Sequence, residues 1–372
     1  MNFEIITTKN CNLNCKYCFE GTKQKSYLSV TNIPIILSFI EEFKKKDYIS
    51  NKESVHIDFN GGETLLNKEF IKQFLKETES LNFEYSFTTN GTLIDDEIIS
   101  LINHYNIFLQ ISLDGTKDIH DLNRCFYNGK GSFDIVISKL KDIQKKCGPS
   151  SFQIANVVIP QTINKFSENF KFFLDNGFNN ISCVGCSDYN WLEKDYHEYE
   201  QQLHMIANMY IESFENNNYV NFSIFNKNIE NTIDGFIKRK CDAIVGEIAI
   251  LPNGNILPCG GFVGSRNEEK FYIGNISDGV NEDIIKTYLK LQSKLHNNSC
   301  QDCLLFNRCQ NDCIALNNRI NNDILIPDEV SCRLNQIAIK ESDRILNYFL
   351  KTENQCFLKC FPNLRNNIHE QI

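Results

Sequence analysis

The stretch FEIITTKNCNLNCKYCFE, residues 3–20, passes from an apolar run directly into three cysteines, Cys11, Cys15 and Cys18. Its first six residues, rich in β-branched and aromatic side chains, read as a short buried strand. Five more such runs follow: VHIDFN (55–60), EYSFTTN (84–90), IFLQISL (107–113), FQIANVVI (152–159) and NISCVG (180–185). Between them, residues 32–46, 67–81, 95–105, 132–146 and 166–177 carry apolar residues three and four apart, the period of an amphipathic helix. Six strand-plus-helix units predict an α/β chain with a parallel sheet and helices on its outer face, as an open doubly wound sheet or a partial barrel. In such sheets chemistry gathers at the carboxyl ends of the strands. The cysteines follow the first strand, Gly61-Gly62-Glu63 the second, Asn90-Gly91 the third and Ser112-Leu113-Asp114-Gly115 the fourth. All are expected at one rim.

At 372 residues the chain is long enough for two or three domains with a large core. Sixteen residues are cysteine, too few for a small disulfide scaffold, so their clustering carries the information. The N-terminus lacks a basic flank with an apolar core, and no apolar run approaches 18 residues. A cytoplasmic protein is expected, in which reduced thiols more often bind metal than pair with one another. The formal net charge of −9 offers no basic field for nucleic acid or an anionic membrane; a peptide or small-molecule partner fits better.

A closed zinc site takes four ligands, and no fourth Cys or His lies within a few residues of Cys18. Three thiolates can instead hold three irons of a [4Fe–4S] cube, leaving the fourth iron open to a substrate or cofactor. Here the sequence resembles the radical S-adenosylmethionine (SAM) enzymes, whose Cys-x3-Cys-x2-Cys signature matches Cys11-Asn12-Leu13-Asn14-Cys15-Lys16-Tyr17-Cys18, including the aromatic residue before the third cysteine. The resemblance implies a partial (β/α)6 barrel, SAM chelated to the open iron, and an external electron donor such as ferredoxin or flavodoxin. Reduction then yields a 5′-deoxyadenosyl radical that abstracts hydrogen from substrate. It also implies that Asn60, Gly61, Gly62 and Glu63 meet the methionyl amino group, with Thr64 where many members have proline. Ser112 would contact the ribose, Arg124 the SAM carboxylate and Tyr17 the adenine region. His120 and Asp121 lie between Ser112 and Arg124 and read as scaffolding for that loop.

The second half orders its cysteines as Cys241, Gly254-x4-Cys259, Cys300-x2-Cys303-x5-Cys309-x3-Cys313 and Cys332, with LPNGNILPCGG (251–261) reading as a hairpin. This order resembles the SPASM extension of peptide- and protein-modifying radical SAM enzymes. The resemblance implies two auxiliary iron–sulfur clusters, one closed by Cys300, Cys303, Cys309 and Cys332, the other held by Cys241, Cys259 and Cys313 and one ligand short. That cluster could keep an open iron, be smaller, or take a distant ligand, for which Cys183 and Cys186 are candidates against the plainer reading of buried apolar cysteines. Cys356 and Cys360 have no counterpart in the motif, and Cys125 and Cys147 read as ordinary residues. A zinc ribbon is the competing reading of 300–313. The expected division is a barrel at 1–220, a SPASM domain at 221–340 that includes its auxiliary clusters, and a C-terminal helix and tail at 341–372, the helix beginning near 328.

The resemblance points to oxidative modification of a peptide or protein, most directly a thioether crosslink in a ribosomally synthesised peptide. Crosslinking enzymes often carry a leader-recognition domain; here the first strand begins at residue 2, so leader recognition would fall to a separate protein or to the barrel. The alternative is formylglycine formation of the anaerobic sulfatase-maturing type. Those enzymes place an aspartate base after the second auxiliary cysteine, where this chain has Gly260. A reading from another class is a multi-cluster electron-transfer protein, against which the cofactor-binding residues argue.

Overall fold

Strand β1 (Asn2–Thr8) lies inside the sheet rather than at its edge. The computed structural model describes residues 1–21, 23–49, 54–234, 241–292, 300, 302–309 and 313–364. Five parallel strands succeed β1 in chain order: β2 (Val55–Gly61), β3 (Phe83–Thr89), β4 (Phe108–Ser112), β5 (Phe152–Val158) and β6 (Asn180–Gly185). A two-residue β7 (Asn221–Phe222) still pairs with β6, so the sheet runs past the boundary expected at 220.

The other side of β1 is paired by β8 (Glu247–Ile250), parallel, with Asn2 opposite Glu247 and Ile5 opposite Ile250. β8 continues antiparallel into β9 (Asn255–Leu257), which forms the hairpin read from sequence, then β10 (Gly274–Asn275) and β11 (Gly279–Val280). Among the described residues these eleven strands make one sheet. The cysteine-rich region is thus joined to the barrel by backbone hydrogen bonds. The physical reason is the open edge that β1 would otherwise present, a long-range pairing that local periodicity does not encode.

Alternation sorts each strand's two faces. On β1, Phe3 and Ile5 point outward into the core, where the Phe3 ring lies 6.2 Å from Phe43 of α1 (Ile33–Phe43). Glu4 and Ile6 point the other way, into the barrel. On β2, Phe59 packs at 5.4 Å from Phe74 of α2 (Lys68–Glu77) and 5.5 Å from Phe87 of β3. The helices α3 (Asp96–Tyr105), α4 (Lys117–Asn123), α5 (Phe133–Lys146) and α6 (Phe166–Asp175) follow in the same α/β order. After β6 comes α7 (Glu193–Glu215), and after β7 comes α8 (Ser223–Ile233).

The helix Glu329–Thr352 folds back on α7, with Phe349 5.6 Å from Phe214. Asp328 caps its start, accepting hydrogen bonds from Val330 N at 3.3 Å and Ser331 N at 2.8 Å. The same carboxylate accepts from Ser187 Oγ at 2.5 Å, tying the cap to the segment after β6. Among the described residues no helix is long and apolar enough to cross a membrane. Of the tail expected after this helix, residues 365–372 lie outside the described residues.

Candidate active site and the cysteine sets

The carboxyl ends of the strands open into a cavity of about 650 Å³. Cys11, Cys15 and Cys18 wall one side, Gly62 and Ser112 lie at strand ends, and Cys313 borders it from the C-terminal region. The cysteine loop is held by backbone contacts before any ligand binds: Asn14 N donates to Cys125 O at 2.8 Å and Lys16 N to Asn123 O at 2.9 Å.

Gly61 and Gly62 act on this loop. A Cβ on Gly62 would overlap the Asn10 carbonyl and come 3.2 Å from Cys11 Cβ; Gly61, at φ +141°, has no room beside Thr8. Gly62 N donates to Thr8 O at 3.0 Å and Glu63 N to Asn10 O at 2.8 Å. The close approach these glycines permit is therefore between β2's end and the cysteine loop, in addition to leaving the cavity wall bare. The Glu63 side chain faces away from the cavity: it accepts from Thr89 Oγ1 at 2.6 Å, Asn90 N at 2.7 Å and Leu65 N at 3.2 Å, bracing β2's end against β3's. Asn60 does line the cavity.

Tyr17, Arg124 and Asp114 form one group. Tyr17 Oη donates to Asp114 Oδ2 at 2.5 Å, Arg124 Nε donates to Asp114 Oδ1 at 3.2 Å, and the guanidinium stands 5.1 Å over the Tyr17 ring. In sequence Asp114 reads as part of the turn closing the fourth strand; an acid just past a parallel strand's carboxyl end is the signal for it. His120 supports this group from behind. Its Nδ1 accepts from Asp114 N at 3.3 Å and its Nε2 meets Ser132 Oγ at 2.9 Å, and burial lowers its pKa to about 4, so it is neutral. Asp121 accepts from Phe133 N at 2.8 Å and Lys117 Nζ at 3.0 Å, closing the same loop.

Each sulfur of the first set faces an N–H donor. Leu13 N lies 3.4 Å and Asn90 Nδ2 3.8 Å from Cys11 Sγ, Arg124 Nη1 4.0 Å from Cys15 Sγ, and Lys23 Nζ 2.9 Å from Cys18 Sγ. Burial pushes the Cys11 thiol up to about 12, which leaves it protonated until a metal displaces the proton. Among the described residues no three His, Cys, Asp or Glu side chains stand close enough to hold a single ion. A cubane binds each thiolate to a different iron, and three separated, donor-surrounded sulfurs on one cavity wall suit it.

The second half brings together two further sets. Burial, then Glu247, Cys313 and Cys241, raise the Cys259 thiol pKa, and Cys313 likewise acts on Cys241. Burial, then Cys309, Cys303 and Cys300, raise that of Cys332. Residues 293–299, 301 and 310–312 between these cysteines lie outside the described residues. Cys183 and Cys186 join neither set: Cys183 donates to Asn156 Oδ1 at 3.1 Å, and Cys186 lies 3.9 Å from Asp188 Oδ2. Cys356 and Cys360 neighbour each other beside α7 and the C-terminal helix. Cys125 and Cys147 are part-exposed.

Gly260 holds a surprise for the sequence reading. The space its Cβ would fill is already taken by the carboxyl group of Glu4, with Oε2 nearest. A carboxylate thus stands beside Cys259 although position 260 lacks one. In sequence Glu4 is one acid in an apolar strand; the signal for it is its even spacing with Ile6, opposite Phe3 and Ile5.

Residues 5–173 match the radical SAM superfamily. That stretch is a radical SAM domain. The chain is 26% identical over 379 residues to the cysteine-type anaerobic sulfatase-maturating enzyme of Clostridium novyi (strain NT), spanning 93% of this chain and 96% of the relative. It is 25% identical over 358 residues to the radical SAM cyclopropyl synthase TigE of Paramaledivibacter caminithermalis, spanning 91% of this chain and 72% of that enzyme. A solved structure of native anSMEcpe with bound AdoMet and the Cp18Cys peptide shares the fold at a TM-score of 0.77, 22% identity, and coverage of 93% and 98%. A radical SAM domain implies a [4Fe–4S] cluster and SAM.

Proposed function

We propose that this radical SAM enzyme oxidises a cysteine side chain of a peptide or protein segment by two electrons, in the manner of a formylglycine-type maturase. The observation that carries the reading is the single cavity bordered by Cys11, Cys15 and Cys18 on one side and Cys313 on the other. A substrate held there lies between a radical-generating site and a second iron–sulfur site. The whole-length likeness to a cysteine-type sulfatase-maturating enzyme supports the same reading.

In this reading Cys11, Cys15 and Cys18 hold the SAM-binding cluster, while the wall from Asn60 to Gly62, Ser112, Arg124 and Tyr17 holds SAM. When bound, the reduced cluster and SAM supply a carbon radical that removes a hydrogen atom from the substrate. Arg124, with one edge fixed on Asp114, presents its remaining N–H groups to a carboxylate. Ala155 and Val157 line the cavity with apolar surface that keeps water from the radical. Cys300, Cys303, Cys309 and Cys332 hold one auxiliary cluster, and Cys241, Cys259 and Cys313 hold the other. Thioether crosslinking is the second reading, favoured by that three-thiol set, whose open iron could deprotonate a substrate thiol. An external electron donor and, for crosslinking, a separate leader-recognition protein complete the proposed partners.

Anaerobic incubation with SAM, dithionite and a single-cysteine peptide tests this. The expected products are 5′-deoxyadenosine and a peptide aldehyde captured by hydrazide. Formation of 5′-deoxyadenosine with the peptide cysteine untouched overturns the cysteine reading, and a thioether instead of an aldehyde selects the second one.

A further inference from the structure

We infer that Glu4 is the proton acceptor for the substrate thiol, a role that no residue at position 260 can fill. The inference rests on the cysteine-oxidation reading above and names the group that takes the proton.

Four observations carry it. Glu4 sits in the middle of β1 with its side chain on the inner face, and its carboxyl group is part of the cavity wall. Its Oε1 is held by Asn60 Nδ2 at 2.7 Å, which fixes the carboxyl's orientation from the strand end that also carries Gly61 and Gly62. No hydrogen bond to Oε2 is seen among the described residues, and Oε2 is the atom that occupies the side-chain space of Gly260. Finally, Gly260 and Gly261 also line the cavity, so neither position places a side chain over the Glu4 carboxyl group.

The surroundings raise the basicity of the group. Burial pushes the Glu4 pKa well up, and Asp58 of β2, Glu247 of β8 and Glu20 push it in the same direction, against the Asn60 hydrogen bond. A raised pKa makes a carboxylate a stronger base than an ordinary surface glutamate.

A peptidyl –CH2–SH loses one Cβ hydrogen atom to the SAM-derived radical, the S–H proton to the Glu4 carboxylate, and one electron to the iron–sulfur centre at Cys241, Cys259 and Cys313. The carbon–sulfur bond becomes a double bond. Water then attacks the thioaldehyde carbon, leaving the aldehyde and hydrogen sulfide. Glu4 returns its proton to solvent or product, and the electron would leave through a cluster held by Cys241, Cys259 and Cys313 to an external iron–sulfur or flavin acceptor.

The test uses reconstituted full-length enzyme, SAM, dithionite and a synthetic peptide whose single cysteine is dideuterated at Cβ. For Glu4→Gln, deuterium transfer into 5′-deoxyadenosine is expected within a few-fold of the parent chain, while aldehyde falls by about 10² or more. The double variant Glu4→Ala/Gly260→Asp, which moves the carboxylate to the neighbouring loop, is expected to recover at least a tenth of the aldehyde. Glu4→Gln that keeps the parent ratio of aldehyde to 5′-deoxyadenosine overturns the assignment alone. So does a Glu4→Gln that loses deuterium transfer and aldehyde together while the double variant recovers neither. A parent chain that takes no deuterium from the peptide overturns the cysteine reading and the assignment with it.

Discussion

The barrel thiols and the C-terminal thiols are built differently. Cys11, Cys15 and Cys18 lie on one short loop, tied by backbone hydrogen bonds to residues 123 and 125, and each sulfur faces an N–H donor. The C-terminal sets draw on residues spread from 241 to 332, with short strands and turns between them. The barrel therefore shapes its site on one short hydrogen-bonded loop, whereas the C-terminal region brings together thiols from distant points of the chain, which a bound cluster would tie to one another.

The largest expected effect separates the two directly. Cys15→Ala should abolish 5′-deoxyadenosine formation, while Cys309→Ala should leave it within a few-fold and reduce finished product by about 10² or more; equal behaviour of the two variants would break the comparison. Chelation of iron should next expose the C-terminal half to limited proteolysis before the barrel, as fragments mapped by mass spectrometry would show. Uniform digestion of both halves would argue for equal dependence on metal.

A smaller effect concerns the barrel alone. His120 has a folded pKa of about 4 against an ordinary value near 6.5, so the unfolded chain binds more protons between those values. Barrel stability should fall as pH drops through that window, by roughly 3 kcal/mol in all, and be fully present above it. In His120→Gln, denaturant midpoints measured from pH 7 to 4 should lose most of this slope. The smallest effect is Gly62→Ala: crowding against Asn10 and Cys11 should cost about 1–3 kcal/mol and lower 5′-deoxyadenosine yield without changing the product-to-nucleoside ratio.

Much of the barrel was legible because its signals are local. The run 180–185 is β6 as read, and the helix expected over 193–217 spans Glu193–Glu215. The short helices Lys117–Asn123, Ser223–Ile233 and Ile314–Asn321 were not picked out, since they are brief and carry many polar residues. The pairing of β8 with β1 spans some 245 positions and leaves no mark on either strand's composition. At the site, residue types located Arg124 and Ser112 but not their company: Asp114, which holds Arg124, became visible only through hydrogen-bond partners. Glu63 shows the converse, a motif residue whose carboxylate braces two strand ends rather than the cavity.

The partnership of β1 with β8 also fixes an order of events during synthesis. Asn2 leaves the ribosome long before Glu247, by roughly 10–50 s at ordinary translation speeds. Throughout that interval the nascent barrel stands unzipped along one flank, with Glu4 reachable from the side that β8 and Gly260 later close.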